Sequence, residues 1–181
     1  MKKLLVDTTV FISAYGSRSA TERGICARRV LDYVESRKDE FIVCKSARTL
    51  RELSPPIREL DRFETVPYHW MDERWEDIEG TWGNIGSRWG NGQERELADA
   101  ARDALPDKGK RPNVRRDRGI LGDAVFAGCA FLLTEDEKDF DRLAPIAERC
   151  RLRVINLLKL DAAAAIKELS ASCAGGSGLK R

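Results

Sequence analysis

The sequence predicts an α/β protein with a mostly parallel central sheet flanked by helices, and two observations carry that expectation. Short apolar runs, Leu4-Leu5-Val6, Phe41-Ile42-Val43-Cys44, Phe131-Leu132-Leu133 and Arg153-Val154-Ile155-Asn156-Leu157, suit buried strands. Longer segments with helical spacing separate them, and this alternation implies βαβ units. A third observation concerns chemistry. Asp7 ends the first apolar run and so falls at the carboxyl edge of its strand, where open α/β sheets bind ligands.

Each element has its own local reason. The run at residues 4–6 is continuous rather than alternating, as in a central strand covered on both faces. Residues 21–37 place Ile25, Val30, Leu31 and Val34 on one helix face. After the second strand, Ser46 is placed to cap a helix through Leu50 and Leu53 that carries Glu52 and stops at Pro55-Pro56. A helix from about Leu121 leads into the third run, and residues 134–139 form a polar turn. A short helix around residues 143–149 precedes the last strand. Residues 161–181 predict a C-terminal helix and then a disordered tail from Ala171, rich in glycine at Gly175-Gly176-Ser177-Gly178.

Residues 68–119 are the least regular part and contain all four tryptophans. Trp75, Ile78, Trp82, Ile85 and Trp89 recur at steps of three and four, which predicts a tryptophan-bearing helical insertion despite the interspersed glycines. Packing onto the core or a second subunit is the simplest use of these rings. A groove for a partner helix and stacking platforms for unpaired bases are the alternatives.

Composition narrows the function classes. The 181 residues suit one domain with a proper core, and 42% hydrophobic with 34% charged content is that of a soluble protein. A formal net charge of +2 is too small to signal nucleic-acid binding by itself. Basic surface must be local, as in the run Lys108, Lys110, Arg111, Arg115, Arg116 and Arg118, which is either a solvated loop or a contact for a phosphate backbone. The five cysteines form no CxxC pair and fit reduced thiols, hence a cytoplasmic setting. Asp7 interrupts the amino-terminal apolar run, which argues against a secretory leader, and no stretch approaches the roughly 20 apolar residues of a membrane span.

The acids Asp7, Glu52, Asp123 and Asp136 each fall at or near a strand end or a helix start. An acid taken alone is ordinarily solvated surface charge. Brought together by the topology, these would repel one another and take up protons unless cations neutralised them. Hard oxygen ligands without histidine or thiolate suit magnesium or manganese, and such a site supports hydrolysis of a phosphodiester. His69 stands alone and is not expected to join it.

Four motifs also resemble the PIN-domain ribonucleases, of the kind found as VapC-type toxins of toxin-antitoxin pairs. Leu5-Val6-Asp7-Thr8-Thr9-Val10-Phe11-Ile12 is similar to the family's strand ending in Asp-Thr or Asp-Ser, and residues 46–53 are similar to its second-helix pattern ending in Glu-Leu. Gly122-Asp123-Ala124-Val125-Phe126-Ala127-Gly128-Cys129-Ala130 resembles its Asp-Ala helix. Leu132-Leu133-Thr134-Glu135-Asp136-Glu137-Lys138-Asp139-Phe140 resembles its closing strand and turn. The resemblance covers about residues 3–66 and 120–158, and it implies a PIN-like nuclease domain over residues 1–160 that carries an insertion at about 68–119. It implies that Asp7 and Asp123 bind Mg2+ or Mn2+ most directly, that Glu52 completes the metal shell or holds a water, and that Asp136, or its neighbour Asp139, supplies the fourth acid. Thr8 or Thr134 would orient a carboxylate or touch a phosphate.

The implied activity is hydrolysis of RNA by a metal-dependent endoribonuclease restrained by a cognate antitoxin, with homodimerisation a further expectation and no membrane partner. The alternatives are a PIN-like nuclease of RNA maturation or defence without an antitoxin, and a non-catalytic RNA-binding module. A phosphatase of the haloacid-dehalogenase type would want a second acid where this chain has Thr9.

Overall fold

A computed structural model describes residues 1–53, 55–67, 92–106, 112–136 and 138–174. The tryptophans, His69, Lys108, Lys110, Arg111 and the glycine-rich tail from residue 175 lie outside them.

The chain is α/β, with a five-stranded sheet whose pairings are all parallel, in the order β3-β2-β1-β4-β5. The strands are β1 (Lys2–Val6), β2 (Phe41–Ser46), β3 (Glu64–Val66), β4 (Phe131–Thr134) and β5 (Arg153–Asn156). Among the described residues seven helices accompany them: α1 (Thr8–Tyr15), α2 (Glu22–Ser36), α3 (Ala47–Glu52), α4 (Gly92–Ala104), α5 (Pro112–Phe126), α6 (Asp139–Arg149) and α7 (Ala162–Ala174). None is long and apolar enough to cross a membrane.

The predicted central strand is β1, flanked by β2 and β4 and buried on both faces. Because side chains alternate along a strand, Leu4 and Val6 enter one core with Val10, Phe11, Val30, Leu31 and Val34 of α1 and α2. Leu5 enters the other, with Leu97, Ala101, Leu121, Ala124 and Leu143 of α4, α5 and α6. The sheet is therefore the middle of three layers, and its carboxyl edge is left for the acids.

Thr21 caps α2 through a hydrogen bond from the Gly24 amide, and Ser46 caps α3 through one from the Arg48 amide, as the Ser46 position predicted. Three elements depart from expectation. α1 starts directly after Asp7, in a stretch rich in β-branched Thr8, Thr9 and Val10 to which the sequence reading assigned no helix. α5 begins at Pro112 rather than near Leu121, a position where proline's fixed φ favours a helix start. α7 runs through Ala174, so the chain is helical at Ala171 where a tail was expected.

The turn that follows α5 contains Gly128, whose φ of 67° lies in the left-handed region. The Cys129 amide reaches the Ala124 carbonyl at 2.9 Å and the Gly128 amide reaches that of Val125 at 3.1 Å, closing the last turn and aiming the chain into β4. An added Cβ at Gly128 would meet nothing within 4 Å. Gly128→Ala therefore isolates the backbone cost, and chemical denaturation is expected to show a loss of about 1–2 kcal/mol; an unchanged midpoint would contradict this account of the turn.

Candidate active site

The strand order reverses between β1 and β4: from β1 the chain builds outward through β2 to β3, then returns to place β4 on the other side. At such a point the carboxyl ends of two strands open a crevice between diverging connections. Asp7 leaves β1 there, its amide still bonded to the Leu133 carbonyl of β4 at 2.9 Å. Thr134, Glu135 and Asp136 leave β4 beside it.

Hydroxyl groups organise the two strand ends. Asp7 is buried, and its Oδ2 accepts hydrogen bonds from Thr9 Oγ1 at 2.6 Å and Thr134 Oγ1 at 3.0 Å. Burial raises its pKa above the ordinary carboxyl value; the two hydroxyls oppose the rise and the charge of Glu52 adds to it. Thr134 Oγ1 also accepts the Asp136 amide at 3.1 Å, so one hydroxyl ties both acids to β4. Asp136 Oδ1 accepts the amides of Lys138 at 2.8 Å and Asp139 at 2.5 Å, which opens α6, and Asn156 Nδ2 holds the Asp136 carbonyl at 2.6 Å.

The sequence reading missed Asp117. Among the described residues, the three carboxylates with oxygens all within 4.8 Å of one another are Asp117, Asp136 and Asp139. Asp117 is only 8% exposed, and no hydrogen-bond partner meets its Oδ2 among the described residues. Burial first, then the charges of Asp7, Asp136 and Asp139 and a hydrogen bond with Asp139, push its pKa up to about 8. Without a cation this cluster relieves its repulsion by keeping a proton. A divalent ion would do the same with more charge.

Asp123 takes a different place. It lies six positions beyond Asp117 on α5, which puts the two about 120° apart around the helix. Its Oδ2 accepts from Ser46 Oγ and from Arg48 Nε at 3.0 Å, beneath α3. Gly119 makes room for this pair, since a Cβ there would stand 2.5 Å from Arg48 Cζ. Glu52 is also engaged by the chain: Oε2 accepts Thr8 Oγ1 at 2.6 Å and Oε1 meets Arg116 Nε at 2.5 Å. Of the predicted acids, then, Asp136 and Asp139 share the cluster, Asp7 and Glu52 border it, and Asp123 sits in a buried ion pair.

Glu135 was also missed as a candidate. Burial raises its pKa, while Ser13, bonded to it at 2.5 Å, and the charges of Arg18 and Arg23 oppose the rise. The signal for Asp117 was present in the sequence: Asp117, Leu121 and Ala124 share a helical stripe, so an acid there turns inward with apolar neighbours. It went unread because residues 112–120 look like a basic loop.

Two measurements follow. Asp117 keeps its proton to about pH 8 when folded, whereas an unfolded chain releases it near 3.8. Its contribution to stability is thus full below the lower value and is lost as pH rises toward the upper one, by at most about 1.4 kcal/mol per pH unit. Melting of the metal-free protein should show a falling Tm between pH 5 and 8, flattened in Asp117→Asn; equal slopes would refute the assignment. Asp123→Ala should cost about 3 kcal/mol by removing one member of a buried pair, yet preserve Mn2+ binding by calorimetry, and loss of that binding would return Asp123 to the metal site. The chain matches no family model, no curated protein and no solved structure.

Proposed function

We propose that the chain is a metal-dependent endoribonuclease centred on Asp117, Asp136 and Asp139, with Asp7 at its side. The observation that carries this reading is the meeting of three carboxylates at the strand-order reversal, one of them with a buried oxygen that has no donor among the described residues.

The donor set fits Mg2+ or Mn2+: it is all oxygen, it carries excess negative charge, and it includes no histidine or thiolate. When bound, such an ion supplies a lower pKa for a coordinated water and stabilisation of charge on the leaving oxygen. The side chains do the rest. Asp117, Asp136 and Asp139 would hold the ion, with Asp136 fixed by the amides of Lys138 and Asp139 that it caps. Asp7 is held in one orientation by Thr9 and Thr134, and its raised pKa suits it to receive a proton from an attacking water.

RNA is the substrate that the motif resemblance favours, and a cognate antitoxin is the partner it favours. The test is cleavage of a mixed RNA pool with Mg2+, alongside EDTA and a matched DNA pool. Asp117→Asn and Asp7→Asn are each expected to lower the rate by about 100-fold or more while retaining the native circular dichroism spectrum. Cleavage that persists in EDTA, or in either variant, would overturn the mechanism; preference for the DNA pool would overturn the substrate.

A further inference from the structure

We propose that Arg116 is a cation that binds the substrate's phosphate at this site, and that Glu52 holds Arg116 in place instead of ligating the metal. The inference rests on reading the acid cluster as a phosphodiesterase centre, and it assigns a role that the cluster itself cannot fill.

The electrostatic problem is plain. Asp7, Glu52, Asp117, Glu135, Asp136 and Asp139 lie around one crevice, and a polyanionic strand approaching them meets like charge. Some cation at the rim must face the substrate. Four other arginines nearby are engaged elsewhere: Arg48 is paired with Asp123, buried Arg118 donates to the Leu105 carbonyl at 2.8 Å, and the charges of Arg18 and Arg23 act on Glu135. Arg116 differs. It precedes Asp117 on α5, so the helix that turns the acid inward turns its neighbour about 100° away. The Arg116 side chain is 45% exposed.

Its anchoring is specific. Glu52, only 13% exposed, binds Arg116 through the guanidinium Nε at 2.5 Å. Because the ion pair is made at the stem nitrogen, the terminal nitrogens, the pair suited to bidentate contact with phosphate oxygens, are not the atoms Glu52 holds. Glu52 is fixed in turn by Thr8, the residue after Asp7. Both Glu52 oxygens are therefore used in positioning Arg116, which leaves the carboxylate poorly disposed to enter a metal shell. Arg116, Glu52, Thr8 and Asp7 form one continuous link from the rim to the strand end.

Two measurements test the assignment. In an Asp7→Asn background that suppresses cleavage, binding of a fluorescent single-stranded oligoribonucleotide is followed by anisotropy from 50 to 200 mM salt. Arg116→Ala is expected to weaken binding about tenfold and to reduce the slope of log affinity against log salt by about 0.7. Arg116→Lys should recover the slope, because it restores the charge. Unchanged affinity and slope in Arg116→Ala would overturn the phosphate contact. Calorimetry with Mn2+ then compares Glu52→Gln with the unsubstituted chain: affinity within about twofold supports positioning, and loss beyond about tenfold makes Glu52 a ligand and overturns its assignment. If the unsubstituted chain binds no Mn2+, the metal-centre reading fails instead, and the anisotropy result still decides Arg116.

Discussion

The structure depends on a carboxylate that cannot leave the sheet. Asp7 follows β1, a strand buried on both faces, and its amide continues the ladder to Leu133, so its side chain is held at the carboxyl edge. Burial raises the cost of its charge, and local hydroxyls must offset that cost. Thr9 comes from the first turn of α1 and Thr134 from the end of β4. Because Thr134 also receives the Asp136 amide, satisfying one acid positions the next. A single strand end thereby sets the placement of the turn into α6.

The acids around this edge divide by what neutralises them. Asp123 has Arg48 and Ser46, and Glu52 has Arg116 and Thr8, so their charge is balanced by the chain itself. Among the described residues Asp117 Oδ2 meets no such partner. Asp117 has instead Asp136, Asp139 and a proton held to about pH 8. An acid paired with arginine stabilises an interface between elements, here α3 on α5. An acid left among other acids keeps an unmet demand for positive charge, and that demand is what makes the crevice a candidate site.

Legibility followed the strength of the local signal. The strands of the sheet centre were readable because continuous runs such as Leu4-Leu5-Val6 and Phe131-Leu132-Leu133 admit little else between turn signals. Thr21 and Ser46 lie where the helix starts were expected. The edge strand β3 was not readable: three residues, Glu64–Val66, are too few for a period to show, and only pairing with β2 makes them a strand. α5 was truncated in the reading because Arg115, Arg116 and Arg118 resemble a solvated run. In the folded chain Arg118 is buried and Arg116 is not, a difference set by helix rotation and by what lies on each side.

By itself the sequence determined the α/β class, the central position of β1 and the gathering of acids near its carboxyl end, since these depend on periodicity and on the order of elements along the chain. It also placed Asp7, Asp136 and Asp139 correctly with respect to strand ends. Which acids share a site was decided only in three dimensions. Asp117 and Asp123 occupy the same helix, and whether each faces a cluster of carboxylates or an arginine depends on how α5 is rotated against β4 and α3. That rotation is fixed by contacts between residues far apart in sequence, such as Arg48 lying across Gly119 to reach Asp123.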